Sequence, residues 1–115
     1  MIKQLSLAEL QALRAGRPDL ILLEALPEKY FRDWHLPGAI HLPHDRVSEL
    51  AAALLPNRTA EIVAYCASAT CQNSHIAARE LTRLGYQNVA VFPGGKQEWS
   101  EAGLAVERSG PAAAA

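Results

Sequence analysis

Apolar runs of strand length alternate along the chain with segments of helical periodicity, and this alternation constrains the fold most. The strand-like runs are 20–25 (LILLEA), 39–42 (AIHL), 61–66 (EIVAYC) and 88–92 (NVAVF). The helical segments are 7–16, 27–34, 45–55, 74–86 and 96–103. Strands that alternate with helices form a parallel sheet that helices cover on both faces. In such a sheet, sites form where the carboxyl ends of strands meet helix N-termini.

Capping signals predict where several of the helices begin and end. Ser6 and Glu9 form a capping box that starts the first helix, and Gly16 ends it. Asp45 is the expected N-cap of the third helix, and Pro56 terminates that helix. The 3.6-residue spacing predicts the apolar face of the fourth helix. Its members are Ile76, Ala77, Leu81 and Leu84.

Length and composition predict one globular domain of ordinary size. The 115 residues are half apolar and 20% charged, which is a globular balance and not a disordered one. The net charge is -1 and the basic residues are scattered, so we expect neither nucleic acid nor a membrane as a partner. We expect a cytoplasmic domain over residues 1–108, followed by a disordered tail over 109–115.

Two cysteines, Cys66 and Cys71, stand where the third apolar run gives way to a helix that begins near Asn73 or Ser74. In a cytosolic chain, two cysteines favour a reduced, chemical role over a structural disulfide. Backbone N–H groups of a curled loop and the positive end of a helix dipole would both favour a thiolate, which is the nucleophile. The same loop would stabilise a persulfide, which is also an anion.

We therefore predict that Cys66, held at the end of a buried strand, is the catalytic nucleophile. The alternative is that Cys66 is a small buried residue that ends the strand. The remaining members of the predicted active-site loop are Ala67, Ser68, Ala69, Thr70, Gln72, Asn73 and Ser74. The three hydroxyl groups among them are additional hydrogen-bond donors.

Cys71 has three interpretations that the sequence leaves open. It is a bystander, a resolving thiol that closes a disulfide with Cys66, or the sulfur carrier itself. Cys66, Cys71 and His75 are also three potential metal ligands, but a structural zinc site needs four. We therefore expect no metal and no other cofactor.

Two further residues are candidates to assist a thiol at this site. His75 begins the helix beside the loop, where it could tune a thiolate or lie solvated. Lys96 follows Gly95 and could attract an anionic sulfur donor at the mouth of the site. A solvated lysine is the competing interpretation for Lys96.

Two separated motifs in the right order resemble the two halves of a rhodanese domain. The first is the His-x-Pro-Gly-Ala segment at 35–43, which follows a strand with an acidic residue and a short helix. The second combines the strand-end Cys66 with the Gly94-Gly95-x-x-x-Trp99 element. The resemblance covers roughly residues 4–107, nearly the whole chain.

The resemblance implies an α/β fold of three layers, with a parallel five-stranded sheet and helices on both faces. It also implies a sulfurtransferase in which Cys66 takes a sulfane sulfur from thiosulfate or a persulfide. The acceptor would be a thiol, with a protein thiol as an open alternative, or cyanide in an assay. A non-catalytic regulatory or redox-sensing module that binds a partner protein is the second hypothesis.

The chain departs from the family pattern within the cysteine loop. No arginine lies between Cys66 and Arg79, the loop is about two residues longer, and Cys71 sits inside it. Oxyanions are commonly recognised by an arginine fork. Its absence disfavours a strongly anionic donor such as thiosulfate and the phosphatase or arsenate-reductase uses of the fold.

Overall fold

The computed structural model describes residues 2–108 as one α/β unit. In chain order its elements are β1 (Lys3–Gln4), α1 (Leu7–Gly16), β2 (Ile21–Glu24), α2 (Glu28–Asp33), β3 (Ile40–His41), α3 (Val47–Leu54), β4 (Glu61–Tyr65), α4 (Asn73–Arg83), β5 (Asn88–Phe92) and α5 (Gly95–Glu101). All strand pairs are parallel, in the order β1-β5-β4-β2-β3. The predicted five-stranded parallel sheet is therefore confirmed. The tail expected over 109–115 lies outside the described residues.

The sheet is buried on both faces, as its continuous apolar strands predict. Along β4, Ile62 and Ala64 pack into one core cluster, while Val63 and Tyr65 pack into the other. Residues of α3 and α4 cover the first face, and residues of α1 and α5 cover the second. Because β4 lies between β2 and β5, the residues that directly follow Tyr65 lie near the middle of the sheet's carboxyl edge.

The capping box at the start of α1 is confirmed. The Ser6 N–H donates to Glu9 Oε1 over 2.8 Å, and the Glu9 N–H donates to Ser6 Oγ over 3.1 Å. The cap expected from Asp45 is wrong, since α3 begins at Val47 with Arg46 as its N-cap and no side-chain cap bond. Arg46 instead pairs with Glu49 one helical turn further on.

The apolar face predicted for α4 is wrong at one position. Ile76 is 38% exposed, whereas Ser74 at the start of the helix is fully buried. Ala77, Ala78 and Leu81 complete the buried face. The helix therefore turns its first-turn serine, not its isoleucine, toward the interior and the cysteine loop.

No helix within residues 2–108 combines the length and the apolar character that crossing a bilayer requires.

Candidate active site

Cys66 directly follows β4 and is only 1% exposed. Its Sγ lies 3.4 Å from the carbonyl oxygen of Cys71 and 3.3 Å from Ser74 Oγ, and the thiol can donate to either oxygen. The structure thus brings together the predicted nucleophile, the second cysteine and the loop's last hydroxyl.

A tight turn folds the loop back onto Cys66. The Cys71 N–H donates to the Ser68 carbonyl oxygen over 3.0 Å, which closes the turn, and α4 begins at Asn73. The hydroxyls of Ser68 and Thr70 bond to each other over 3.2 Å at the exposed side of the loop. Ser74 is therefore the loop hydroxyl that meets the thiol, and the other two contact each other.

The two thiols have opposite electrostatic environments. Burial, followed by the neighbouring Cys71 side chain, raises the pKa of the Cys66 thiol, although the hydroxyl and N–H of Ser74 oppose the shift. Burial alone would also raise the pKa of Cys71. The Cys66 thiol and the N–H groups of Ala67 and Asn73 outweigh it and lower the pKa of Cys71. In the resting protein the Cys71 sulfur therefore carries the thiolate more readily.

This asymmetry predicts which thiol an alkylating reagent modifies first. Cys71 is half-buried and its pKa is lowered, whereas Cys66 is buried and its pKa is raised. We expect iodoacetamide near neutral pH to label Cys71 before Cys66, since alkylation needs an accessible thiolate. Peptide mass mapping over a time course measures the order, and faster labelling of Cys66 would contradict the assignment.

His75 lies half-buried in the first turn of α4. The hydrogen bonds of the Cys66 thiol go to Cys71 and Ser74, and the imidazole of His75 is not among its hydrogen-bond partners. Cys66 and His75 therefore do not form a hydrogen-bonded pair in the described structure.

Lys96 is not solvated, so that expectation for its side chain is wrong. It is 7% exposed, and its Nζ donates to Glu24 Oε2 over 3.1 Å and to the Tyr30 carbonyl oxygen over 2.8 Å. The Nζ also lies 4.7 Å from the centre of the Trp34 ring. Because the ammonium is neutralised by a fully buried carboxylate, it offers little attraction to an anionic donor.

Glu24 connects this ion pair to the strand that carries Cys66. The Tyr65 hydroxyl donates to Glu24 Oε1 over 2.8 Å and accepts from the Leu36 N–H over 3.1 Å. Burial raises the pKa of Glu24 and lowers that of Lys96, while each charge opposes the shift of the other. The network was not predicted, because its members are far apart in the sequence.

The start of α5 packs directly against the cysteine loop. The Lys96 N–H donates to the Cys66 carbonyl oxygen over 2.9 Å, and the Gln97 N–H donates to the Ala67 carbonyl oxygen over 2.8 Å. Gly95 makes this approach possible, since a Cβ there would overlap the Cys66 carbonyl oxygen. The Gly-Gly element thus fixes the backbone of Cys66.

The His-x-Pro-Gly element has a structural role in this protein. His35 is buried, with Nδ1 2.8 Å from the Phe31 carbonyl oxygen, and its backbone pairs with Glu107. Trp99 of the second motif is a core residue whose Nε1–H donates to the Ala105 carbonyl oxygen. Residues 2–108 contain no group of three or more side chains arranged to hold a metal ion.

The sheet is parallel, and a buried cysteine follows its central strand with a loop folded over the sulfur. The fold and the site therefore define an α/β domain that holds a thiol at the carboxyl edge of the sheet. The family model of the rhodanese-like domain matches residues 6–102, and the chain belongs to this family.

Three longer proteins are similar to this chain over part of their length. An HTH-type transcriptional regulator of Mycobacterium tuberculosis is 32% identical over 93 residues, covering 81% of this chain and 40% of the regulator. An adenylyltransferase and sulfurtransferase of Candida albicans is 33% identical over 85 residues, covering 70% of this chain and 19% of that protein. The structure of a thiosulfate sulfurtransferase from Pseudomonas aeruginosa superposes with a TM-score of 0.80 at 25% identity. That match covers 95% of this chain and 21% of the other. The chain therefore spans less than half the length of each of these relatives.

Proposed function

We propose that this domain is a sulfurtransferase that carries a sulfane sulfur as a persulfide on Cys66. The observation that supports the proposal is the position of the Cys66 sulfur at the end of β4, against Ser74 and the first turn of α4. The partners are a small sulfur donor and a thiol acceptor, which can belong to a protein. The proposed setting is the cytoplasm, where free thiols stay reduced.

The chemistry begins when the Cys66 thiolate attacks the outer sulfur of the donor. A bond forms between Cys66 Sγ and that sulfur, and the remainder of the donor leaves with the electron pair of the broken sulfur–sulfur bond. The hydroxyl and N–H of Ser74 stabilise negative charge on the Cys66 sulfur. Since burial raises the pKa of Cys66, the loading rate rises with pH through the range in which this thiol ionises.

A low-molecular-weight persulfide fits this site better than thiosulfate does. The loop from Ala67 to Ser74 contains no lysine or arginine, and the nearby Lys96 ammonium is neutralised by Glu24. Without a free cation, the site gains little from the two negative charges of thiosulfate. A persulfide donor needs only an accessible sulfane sulfur and a good leaving thiolate.

Replacing Cys66 by serine is the test of this function. We expect Cys66→Ser to lose sulfur transfer from persulfide or thiosulfate to cyanide, because a serine hydroxyl cannot hold the sulfane sulfur. The measurement is thiocyanate formation. Cys71→Ser is the matched control and is expected to retain thiocyanate formation. Transfer that survives in Cys66→Ser would exclude Cys66 as the carrier.

Redox sensing by a regulatory module is the second candidate function. Two observations favour it: the Cys66 thiol is buried in contact with Cys71, and one relative is a transcriptional regulator. A sensing module would form a disulfide between Cys66 and Cys71 on exposure to peroxide, yet would form no thiocyanate in the same assay. The two readouts separate the candidates.

A further inference from the structure

Cys71 lies where it can discharge a persulfide formed on Cys66. The turn closed by the Cys71 N–H and the Ser68 carbonyl oxygen brings the Cys71 backbone within 3.4 Å of the Cys66 sulfur. Each cysteine side chain also shifts the pKa of the other. The residue that bears the second sulfur is thus held against the Cys66 sulfur by a backbone contact.

We propose that Cys71 is a resolving thiol that converts the Cys66 persulfide into a Cys66–Cys71 disulfide and releases hydrosulfide. The inference rests on the proposed function. The Cys71 thiolate attacks Cys66 Sγ, a bond forms between the two cysteine sulfurs, and the bond to the sulfane sulfur breaks. The leaving sulfur departs as HS⁻ with the electron pair and the persulfide proton. Over loading and this step together, the sulfane sulfur is reduced to sulfide and the two cysteine thiols are oxidised to a disulfide.

The burial of Cys66 selects this route over transfer of the outer sulfur to Cys71. Attack by Cys71 on the outer sulfur would expel the Cys66 thiolate, whose ionisation burial opposes, and would only move the persulfide from one cysteine to the other. An external acceptor supplied in excess draws the same step forward by mass action, which the single Cys71 thiol does not. Attack on the inner sulfur instead expels a small anion that can leave into water. A lower-pKa leaving group leaves faster in sulfur exchange, which favours the same outcome.

An external dithiol completes the cycle. Cys71 is half-buried, whereas Cys66 is buried, so the Cys71 sulfur is the end of the disulfide that a reductant can reach. A dithiol reduces the disulfide to the two thiols and becomes a disulfide itself, so its two electrons have passed to the released sulfide. The domain would then be a dithiol-dependent, sulfide-releasing enzyme, in addition to a carrier that hands sulfur to an acceptor.

A single-turnover experiment without any added thiol tests the inference. Reduced protein is mixed anaerobically with thiosulfate or, separately, with a low-molecular-weight persulfide. Sulfide is quantified, and intact and peptide masses are recorded. For the unmodified chain we expect one sulfide per protein and a mass lower by two hydrogens, with Cys66 and Cys71 joined.

The Cys71→Ser variant is expected to gain one sulfur on Cys66 and to release no sulfide until a dithiol is added. Loading should be no slower, since the Cys71 side chain raises the pKa of Cys66. Ser48→Ala, at an exposed position on α3, is the control and should behave as the unmodified chain. Circular dichroism verifies that each variant is folded.

Three results would overturn the inference. The unmodified chain could hold a stable persulfide on Cys66 without disulfide or sulfide, or the sulfur could map to Cys71. Equal sulfide release by Cys71→Ser would also refute it. If neither the unmodified chain nor Cys71→Ser takes up sulfur, the proposed function fails as well, so the two failures are distinguishable.

Discussion

Lys96→Met is expected to lower the free energy of unfolding by about 3–5 kcal/mol, because removing one member of a buried ion pair leaves an uncompensated charge. The Glu24 carboxylate, fully buried, would lose the Nζ that lies 3.1 Å away. The Tyr65 hydroxyl would remain as its donor. Denaturant unfolding measures the loss. Lys29→Met, at an exposed position on α2, is the matched control and is expected to change little.

The size of this effect should depend on pH and on the charge of residue 24. Without the ammonium, the pKa of the buried Glu24 carboxyl rises further above its unfolded value. The folded variant then binds a proton more tightly than the unfolded chain, so its deficit shrinks as the pH falls from neutral. Adding Glu24→Gln to Lys96→Met should recover part of the stability, since the amide still accepts from Tyr65. If the stability loss of Lys96→Met changes neither with pH nor on adding Glu24→Gln, the ion pair does not explain it.

Gly95→Ala is expected to destabilise the protein by about 2–5 kcal/mol, combining left-handed backbone strain with overpacking. Gly95 has φ +59°. An added Cβ would overlap the Cys66 carbonyl oxygen and lie 3.0 Å from the Cys66 carbonyl carbon and 3.1 Å from that of Ala67. Since these are backbone atoms, the cysteine loop itself must shift. We therefore expect a loss of sulfur transfer along with the stability, measured on the fraction that remains folded.

Gly103→Ala separates the two contributions to this effect. Gly103 also has a positive φ, +72°, but nothing lies within 4 Å of a Cβ added there. Gly103→Ala should lower the free energy of unfolding only by the backbone strain, about 1–2 kcal/mol, and leave sulfur transfer unchanged. Equal losses in the two variants would mean that the contact between α5 and the cysteine loop is not tight.

The architecture could be predicted because its signals are local. Continuous apolar runs such as LILLEA and NVAVF, interrupted by helical periodicity, indicate a doubly covered parallel sheet before any contact is known. The strand β1 was not predicted from periodicity, since two residues are too short for a pattern and its position depends on pairing with β5. The fifth strand is expected only from the resemblance of the two motifs to a rhodanese domain.

The errors arise where a distant partner overrides local preference. Lys96, on α5, is buried because Glu24, on β2, neutralises it, and one sequence alone does not show that pairing. The amphipathic pattern of α4 favoured Ile76 as a core residue. The interior position is instead taken by Ser74, whose hydroxyl lies against the Cys66 thiol. The buried serine hydroxyl is a polar group whose hydrogen-bonding partner is this thiol.

The cysteine pair shows the same limit within the site. Its position at the end of β4 followed from the sequence, but the relative reactivity of the two thiols did not. That difference depends on the burial of Cys66 and on which N–H groups face Cys71.

Whether Cys66 carries the sulfur is measured by the mass of the Cys71→Ser protein after incubation with a low-molecular-weight persulfide. In this variant no second thiol can discharge the product. We expect a gain of one sulfur, mapped to the peptide that contains Cys66 and removed by cyanide as thiocyanate. A protein whose mass does not change, or an equal gain when Cys66 is also replaced by serine, would show that Cys66 is not the carrier.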